Sequence, residues 1–504
     1  MNTLQHQQDD GHIIMFPYMA QGHITRFLAL ARFISQRKPN IKITFVSTPL
    51  NIRRLQSALT SDKNIHLAEL PFSSADHGLP ADSDNTNSLP PHLILTLLYA
   101  SENLKPLFDN LITQIIATEK RVPNCIIGDT LYGWVHDIAK RVGTLHFAFT
   151  CGAYGSAMFI STCLHLPHRR DDSSNDLIEE FQVPKVPGKC RPSQLPVYLR
   201  EANKETPHVQ YFRKQLSCTL QADGMLCNSV EEIEVVGLEA LRNIVESKPV
   251  WTVGPLLPSY LLQGNNQNKN KVSVASQSRT GKEFGISPES CIEWLNLHEP
   301  SSVLYISFGS ESAINASQMM ELALGLEKSG KSFIWILRPP NEFDIKSEFK
   351  SEWLPEGFFE RMNESNKGLL VKKWAPQLEI LSHKSTGAFL SHCGWNSVLE
   401  SLSLGVPIIG WPLGGEQAFN SKMLEEELGV SVQLANGNED EVSSEDVQKV
   451  IEQVMDSSEG EEMRKRAMVI AEKISAAMRE DEGGHLKGST IRSIDDFLAT
   501  VTSK

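Results

Sequence analysis

Short runs of aliphatic, β-branched and aromatic residues alternate with longer amphipathic stretches along the first half of the chain. The short runs predict strands at 12–16, 41–46, 65–70, 125–129 and 145–150. The amphipathic stretches predict helices at 23–36, around 92–118 and at 131–142. Strands and helices that alternate at this spacing indicate βαβ units, and therefore a parallel sheet.

A polar stretch at 263–282 interrupts this alternation, which then starts again. The stretch cannot bury much apolar area, so it predicts a linker or a long surface loop. Beyond it, strands are predicted at 303–308, 333–337, 369–374, 387–391 and 407–411, and the last 60 residues are mostly helical in pattern. We therefore expect an α/β protein of two doubly wound, Rossmann-like domains, with ligands in the cleft beyond the carboxyl ends of the strands.

The predicted boundaries follow from these patterns. Residues 1–258 form an N-terminal domain, and residues 259–484 form a C-terminal domain that begins with a linker at about 259–286. The last segment, 485–504, is expected to be a helix that packs back on the N-terminal domain. A chain of 504 residues is also too long for one compact core, which supports two or more domains.

Composition and charge exclude several classes of protein. The formal net charge of −13 argues against nucleic-acid partners and against docking on anionic lipid. Eight scattered cysteines without a CxxC pair argue against a zinc site and against a disulfide framework. The polar, acidic start is unlike a signal peptide, and no run of about 18 apolar residues could span a bilayer. A cytoplasmic enzyme without a metal site is therefore expected.

The segment 374–417 carries the strongest chemical signal. It predicts a strand, a turn of small residues through Cys393-Gly394, and a helix that starts near Trp395. A turn of this kind points free backbone N–H groups at an anion. Three side chains near this turn could donate to an anion: His392, Asn396 and Ser397. Glu400 could accept from ribose hydroxyls, and Trp374 offers a flat ring on which a base could stack.

This 44-residue segment resembles, almost position for position, the signature box of plant secondary-product glycosyltransferases, which use UDP-sugars on the GT-B fold. The match includes WAPQ, HCGWNS, GVPIIGWP and the closing EQ pair. The resemblance implies a role for each site residue. The uridine is held by Trp374, which stacks on uracil, by Ala375 and Gln377, and by Glu400 at the ribose. The pyrophosphate is held by Ser310, His392, Asn396 and Ser397, and the sugar is held by Trp395, Glu416 and Gln417. Glucose-using members usually carry glutamine at the last position, which is Gln417 here.

His23 and Asp129 are the candidate catalytic pair. His23 follows a predicted strand and a glycine at the start of a helix, where the helix dipole favours a neutral imidazole. Such a histidine is often structural, but the resemblance places the catalytic base at this position. Asp129 ends another predicted strand and could orient the imidazole, or it could cap the helix predicted at 131–142. Asp137 is a second candidate for the orienting carboxylate.

Two further features carry alternatives. Asp82-Ser83-Asp84 matches the DxD pattern by which another glycosyltransferase fold binds a metal diphosphate, but no predicted strand precedes it, and we interpret it as a solvated acidic loop. Arg26 stands where the family usually has proline. It either points to solvent or pairs with an acidic neighbour, or it meets the acceptor or the other domain and shapes substrate choice.

Together these features predict an inverting UDP-glucosyltransferase that moves glucose from UDP-glucose to a hydroxyl of a small apolar acceptor and forms a β-glucoside. The expected enzyme is a monomer that needs no cofactor and no metal. A flavonoid, another phenolic or a terpenoid would suit as acceptor. A transferase using another UDP-sugar, a UDP-sugar epimerase or hydrolase, and a UDP-sugar sensor without catalysis remain alternatives.

Overall fold

The structure is a computed structural model that describes most of the chain. The described residues are 11–59, 62–165, 180–200, 206–258, 261, 284–344, 347–437, 440–481 and 483–503. Most of the linker predicted at 259–286 lies outside these ranges, so that prediction is not addressed by the structure.

The first half forms a parallel sheet of seven strands in the order β3-β2-β1-β4-β5-β8-β9. Its strands are β1 (Gly11–Phe16), β2 (Ile41–Ser47), β3 (Ile65–Glu69), β4 (Cys125–Asp129), β5 (Leu145–Thr150), β8 (Gly224–Cys227) and β9 (Val250–Thr252). A separate antiparallel pair joins β6 (Phe181–Gln182) to β7 (Lys189–Cys190).

The second half forms a parallel sheet of six strands in the order β12-β11-β10-β13-β14-β15. Its strands are β10 (Val303–Ser307), β11 (Ser332–Leu337), β12 (Gly368–Lys372), β13 (Thr386–Ser391), β14 (Ile408–Gly410) and β15 (Ser431–Gln433). Two parallel sheets, each with helical connections, confirm the predicted fold class.

Eighteen α-helices lie within the described residues and account for the crossovers between parallel strands. Those of the first half are α1 (Gln21–Arg37), α2 (Pro49–Ala58), α3 (Ile94–Ala100), α4 (Leu104–Glu119), α5 (Val135–Val142), α6 (Ala153–Leu164), α7 (Val197–Arg200), α8 (Pro207–Thr219) and α9 (Val235–Val245). Those of the second half are α10 (Pro288–Asn296), α11 (Ala316–Ser329), α12 (Phe358–Glu364), α13 (Gln377–Leu381), α14 (Trp395–Ser403), α15 (Gln417–Glu426), α16 (Ser444–Asp456), α17 (Ser458–Ala477) and α18 (Ser489–Thr502).

Burial on both faces explains why the central strands read as continuous apolar runs. All six residues of β1, all five of β4 and all five of β10 are buried. Helices cover both faces of a parallel sheet, so its strands do not need a polar side. These three fully buried strands accordingly lie in the interior of their sheets, and none of them is an edge strand.

Each sheet has one point where the strand order reverses, and this point positions the site. In the first sheet the reversal lies between β1 and β4, and in the second sheet it lies between β10 and β13. At such a point the loops beyond the carboxyl ends of two adjacent strands diverge and leave a crevice for a ligand. Asp129 is the last residue of β4, and the segments that follow β1, β10 and β13 hold His23, Ser310 and His392.

The C-terminal helix α18 packs on the first sheet rather than on the second. Its apolar residues share one hydrophobic cluster with β1, β2, β4 and β5. Phe497 packs edge-on against Phe147 of β5, and the indole of Trp251 donates a 2.8 Å hydrogen bond to Asp496. Arg37 of α1 adds ion pairs to Glu480 and Asp495.

Several elements do not appear in the sequence-based prediction. The strands β8 and β15 are only four and three residues long, and such short runs carry little periodic signal. The helix α6 was not predicted because it is apolar nearly all round: nine of its twelve residues are buried. A buried helix of this kind has no polar face for a periodicity argument to detect.

Candidate active site

A cavity of about 1410 Å³ lies between the two halves and is lined by residues of both. The first half contributes the segments after β1 and β4 together with parts of α3, α6, α7 and α8. The second half contributes the segments after β10, β11, β12 and β13 and the turn before α15. All thirteen site residues predicted from the sequence line this cavity.

His23 and Asp129 form a hydrogen-bonded pair at the floor of this cavity. The Nδ1 atom of His23 lies 2.7 Å from Oδ2 of Asp129. The carboxylate is held in place by two backbone N–H groups, those of Tyr18 at 3.1 Å and Leu131 at 3.0 Å. Asp129 is buried, whereas one third of the His23 side chain is exposed to the cavity. Because the carboxylate accepts from Nδ1, the Nε2 atom of a neutral His23 is free of its proton and can act as a base.

The charge environment of His23 differs from the sequence-based expectation. Burial lowers the pKa of His23, but the Asp129 carboxylate, with smaller contributions from Glu311 and Glu416, raises this pKa to about 9. The expectation that the helix start favours a neutral imidazole is therefore wrong for the structure without ligands. A full negative charge at 2.7 Å outweighs the partial charge of a helix end.

The alternative assignments near this pair do not hold. The helix α5 begins at Val135, so Asp129 does not cap it, and its Oδ1 instead accepts from the backbone of Leu131. Asp137 lies on the surface, 57% exposed, and pairs with Lys105 at 2.7 Å. Of the two candidate carboxylates, only Asp129 lies beside the imidazole.

A polar network joins the expected uridine side of the cavity to the donor-site helix α14. Gln377, the first residue of α13, accepts a hydrogen bond from the Tyr305 hydroxyl at 3.0 Å. Its amide nitrogen donates to Glu400 at 2.7 Å and to Ser397 at 3.3 Å. Trp374 and Ala375 lie in the segment between β12 and α13, where the Trp374 carbonyl accepts from Gly285. The side-chain hydrogen bonds of this network thus join residues 20 to 72 positions apart in the chain.

Arg26 is buried and meets the second half of the protein. Its side chain is 3% exposed and donates to Glu400 Oε1 at 2.6 Å, which is itself 4% exposed. The Nε atom donates to Asn396 at 2.7 Å, and Nη1 donates to the Leu256 carbonyl at 2.7 Å. The expectation of a solvent-facing side chain is therefore wrong, because three acceptors from two segments converge on the guanidinium. The alternatives of an acidic partner and of contact with the other half both hold.

Two residues of the signature segment use their side chains to join the halves. The Trp395 indole donates to the Asn228 carbonyl at 2.7 Å, and its ring packs against Gly152. The Asn396 amide accepts from Arg26 and donates to the Gly22 carbonyl at 3.2 Å. Both residues also line the cavity, so the roles predicted for Trp395 at the sugar and Asn396 at the pyrophosphate stay predictions.

The pyrophosphate side of the cavity combines small residues, a neutral histidine and a cation. A Cβ at Gly309, whose φ is +77°, would lie 2.6 Å from the His392 ring, so only glycine fits there. Burial, reinforced by the nearby Arg338, lowers the pKa of His392 to about 4, and the ring is a neutral hydrogen-bonding group. Ser310 lines the cavity beside this pair.

Arg338 is a site residue that sequence reasoning missed. It directly follows β11, donates to the Gly309 carbonyl at 2.9 Å and lies 5.7 Å from the centre of the Trp374 ring. Burial lowers its pKa to about 10, so it remains a cation, and it forms no ion pair with any described carboxylate. Its position after a parallel strand was a signal that could have identified it.

The end of the signature segment holds its side chains in a defined orientation. The Gln417 Oε1 atom accepts from the backbone N–H groups of Leu413 and Gly414 at 2.9 and 3.0 Å. The amide nitrogen is thereby left as the group able to donate into the cavity. Glu416 precedes α15 beside Gly155 of the first half, and burial raises its pKa.

The rest of the cavity, on the side of the first half, is mostly apolar. The residues that form this part come from α3, α6, α7 and α8: Leu95, Leu98, Phe159, Ile160, Tyr198, Phe212 and Leu216. Tyr198 and Phe212 stack with ring centres 5.2 Å apart. An apolar ligand of moderate size fits such a surface, with His23 at its inner end.

The DxD-like sequence belongs to a different environment from the one expected. Asp82 is exposed, but Ser83 and Asp84 are buried. Asp84 accepts a 2.9 Å hydrogen bond from the Leu50 N–H in the first turn of α2, and its carbonyl accepts from Asn51. The interpretation as a fully solvated loop is therefore wrong, because Asp84 stabilises a helix start.

Comparison with known proteins agrees along nearly the whole chain. Residues 287–472 match the family described as UDP-glucoronosyl and UDP-glucosyl transferase, and residues 9–258 match the family described as glycosyltransferase, N-terminal domain. UDP-glycosyltransferase 92A1 of Arabidopsis thaliana is 40% identical over 494 residues, covering 96% of both chains. Crocetin glucosyltransferase 3 of Crocus sativus is 42% identical over 464 residues, covering 89% of this chain and 91% of the relative.

Solved structures give the same result for the fold. A Glycyrrhiza uralensis enzyme complexed with glycyrrhetinic acid 3-O-monoglucuronide superposes with a TM-score of 0.79 at 26% identity, covering 98% of this chain and 96% of the other. A Medicago truncatula protein complexed with UDP-glucose superposes with a TM-score of 0.76 at 26% identity, covering 98% of each chain. No helix in the described ranges has both the length and the hydropathy needed to cross a bilayer.

Proposed function

Because this chain belongs to the UDP-glucoronosyl and UDP-glucosyl transferase family and is a UDP-glycosyltransferase, we propose that it moves glucose from UDP-glucose to a hydroxyl of a small apolar acceptor. The observation that supports this most directly is the His23–Asp129 pair, which lies in the same cavity as the signature segment. The apolar walls next to His23 favour a phenolic, flavonoid or terpenoid acceptor.

The proposed reaction is a single displacement with inversion. The neutral His23 accepts the acceptor hydroxyl proton at Nε2 while the acceptor oxygen attacks the anomeric carbon. The new carbon–oxygen bond forms as the bond from that carbon to the UDP oxygen breaks, so an α-linked donor gives a β-glucoside and UDP leaves. Asp129 stabilises the imidazolium that results, through the hydrogen bond at Nδ1.

The donor would lie against the second half. We place uracil at Trp374, ribose at Glu400 and the diphosphate near Ser310, His392 and the start of α14. Arg338 adds a positive charge on the diphosphate side, where negative charge develops on the leaving group. These groups can stabilise the leaving UDP without a metal ion, and we propose that no metal or other cofactor is needed. We further propose that the enzyme acts as a cytoplasmic monomer.

The sharpest test is a mass-spectrometric screen of the purified protein with UDP-glucose against mixed phenolic, flavonoid and terpenoid acceptors, with NMR of the product for anomeric configuration. We expect a β-glucoside in the presence of excess EDTA. Parallel reactions with UDP-galactose and UDP-glucuronic acid measure donor choice. Release of free glucose without acceptor would indicate a hydrolase, and UDP-sugar binding without turnover would indicate a sensor; either result contradicts the proposal.

A further inference from the structure

We propose that Arg26 is a positioning residue that ties the helix of the catalytic base to the donor-site helix and fixes the Glu400 carboxylate between them. The inference rests on the proposed function, because it assigns a role to Arg26 in the same reaction. Arg26 acts through the groups to which it donates, so it is proposed as a positioning residue and not as a catalytic residue.

The geometry that carries this inference is the distribution of the three guanidinium nitrogens. Each one donates to a different residue: Nη2 to Glu400 at 2.6 Å, Nε to Asn396 at 2.7 Å, and Nη1 to the Leu256 carbonyl at 2.7 Å. Glu400 and Asn396 lie on α14, and Leu256 lies in the segment that follows the last strand of the first sheet. One buried side chain of α1 therefore connects three segments from both halves.

The contacts continue on both sides of Arg26. Asn396 returns to α1 through its amide nitrogen, which donates to the Gly22 carbonyl directly before His23. Glu400 uses its other oxygen to accept from Gln377, whose amide oxygen accepts from Tyr305. The catalytic helix and the uridine side of the cavity are thus linked by one unbroken series of hydrogen bonds.

The chemistry of the guanidinium suits this task better than that of other side chains. Its planar fork has five N–H groups in fixed directions, whereas the lysine ammonium is a compact charge on a flexible stem. A buried carboxylate such as Glu400 also requires a cationic partner.

The functional consequence follows from distance. His23 and Arg26 lie one helical turn apart on α1, and Arg26 holds that turn against α14. The separation between the base and the donor sugar is therefore fixed by the same contacts. A displacement of about 1 Å in such an arrangement can lower turnover by about 100-fold.

The test compares Arg26→Lys with wild type, using kcat, the KM for UDP-glucose and the Kd for UDP measured by calorimetry without acceptor. We expect kcat to fall about 10- to 100-fold, because the fork is lost. The retained charge beside Glu400 should keep the Kd for UDP within about 3-fold. A merely structural role would lower the melting temperature and leave kcat of the folded enzyme unchanged. A kcat within about 2-fold of wild type overturns the proposal.

The matched control is Arg32→Met, on the same helix. Arg32 is 26% exposed and contacts only the first half in its described bonds, pairing with Asp62 and donating to the Ala58 carbonyl. We expect its kcat to stay within about 2-fold of wild type. A loss equal to that of Arg26→Lys would mean that any change on α1 lowers turnover, which also overturns the proposal.

A second set of variants covers the case in which Arg26→Lys does not fold. The combined variant Arg26→Met, Glu400→Gln removes both charges and leaves no unpaired buried ion. If Arg26 acts through Glu400, the fold-loss in kcat/KM of this variant should be well below the product of the two single losses. If the loss in kcat/KM of the double variant equals the product of the two single losses, the proposal is overturned. If the wild-type protein binds no UDP, the proposed function itself fails. If wild type is active and the Arg26 variants have the same kcat as wild type, only the proposal for Arg26 fails.

Discussion

The imidazole of His23 and the carboxylate of Asp129 lie 2.7 Å apart although the two residues are separated by 106 positions in the chain. Their meeting follows from the sheet. β1 and β4 are neighbouring parallel strands with Phe16 paired to Gly128, so the segments after both strands emerge at the same edge. A pair built on two central strands is held rigidly, as a proton acceptor and its orienting group require.

Replacement of His23 by alanine should remove the proton acceptor and leave the donor site intact. We expect turnover to fall by about 10²–10⁴-fold, the usual effect of a positioned general base. The Kd for UDP, measured by calorimetry, should stay near wild type because the donor groups lie on the second half. Near-normal turnover would contradict the assignment of His23 as the base.

The pH dependence of activity should show the raised pKa of His23. The imidazole acts as a base only when neutral, and its pKa in the free enzyme is about 9, so the neutral fraction grows as pH rises. We therefore expect kcat/KM to increase from about pH 7 and to level off above about pH 9. The measurement needs an aliphatic alcohol as acceptor, so that its hydroxyl does not titrate.

The control for this profile is Asp129→Asn. This substitution removes the charge that raises the pKa of His23 and should shift the rising limb to lower pH, while the plateau rate also falls because the imidazolium is less stabilised. If kcat/KM rises over the same pH range in wild type and in Asp129→Asn, a group other than His23 controls the pH dependence.

Donor affinity should depend on Trp374 and on Arg338 for different reasons. Trp374→Ala removes a surface on which the base can stack. In single-stranded nucleic-acid sites, loss of such a contact weakens binding by roughly 1–3 kcal/mol per base. Arg338→Met keeps much of the side-chain bulk but removes the cation. It should therefore weaken the binding of UDP more than the binding of uridine, which has no phosphate. Calorimetry with both ligands separates the effects. Arg361→Met, at an exposed arginine that pairs with Glu327, is the control and should change neither affinity.

The parts of the site that the sequence could predict are those determined locally. A strand followed by a small-residue turn and a helix is local information, and it led to His23, Asp129 and the donor segment. The contacts of Arg26 and Asn396 could not be predicted, because they depend on how two halves face each other across 370 or more positions. The pKa of His23 was misjudged for the same reason: the helix start is local, whereas the Asp129 charge comes from another strand.

A buried histidine that does not line the cavity predicts how stability depends on pH. His146 in β5 is 1% exposed, and neither ring nitrogen has a hydrogen-bond partner among the described residues. Burial, together with the nearby His136 and Lys248, lowers its pKa from 6.5 to about 3. The unfolded chain therefore binds more protons than the folded one between these values, so the stability that a neutral His146 contributes is present above pH 6.5 and is lost as pH falls toward 3.

His146→Met should remove this dependence. A single group of this kind changes the free energy of unfolding by at most about 1.4 kcal/mol per pH unit. Between about pH 6.5 and 4 the variant should lose less stability than wild type in urea denaturation. His485→Gln, at an exposed histidine, is the matched control and should keep the wild-type slope. Equal slopes for wild type and His146→Met would show that His146 is not protonated on unfolding.

Donor choice should respond to Gln417, and the structure indicates why a histidine would act differently there. Gln417 uses its amide oxygen to accept from the N–H groups of Leu413 and Gly414, and its amide nitrogen is then available to the sugar. An imidazole cannot replace this amide: it has no oxygen that accepts from two backbone N–H groups while an adjacent nitrogen donates to the sugar. Histidine at this position should therefore change both the backbone turn and the position of the N–H group that faces the sugar. We expect wild type to prefer UDP-glucose, and Gln417→His to lower the ratio of kcat/KM for UDP-glucose to that for UDP-galactose. Gln417→Glu, which keeps the accepting oxygen and removes the donor, should lower kcat/KM for UDP-glucose while the turn is preserved. A wild-type preference for another UDP-sugar, or a ratio that Gln417→His leaves unchanged, would remove Gln417 from sugar recognition and place donor choice elsewhere in the cavity.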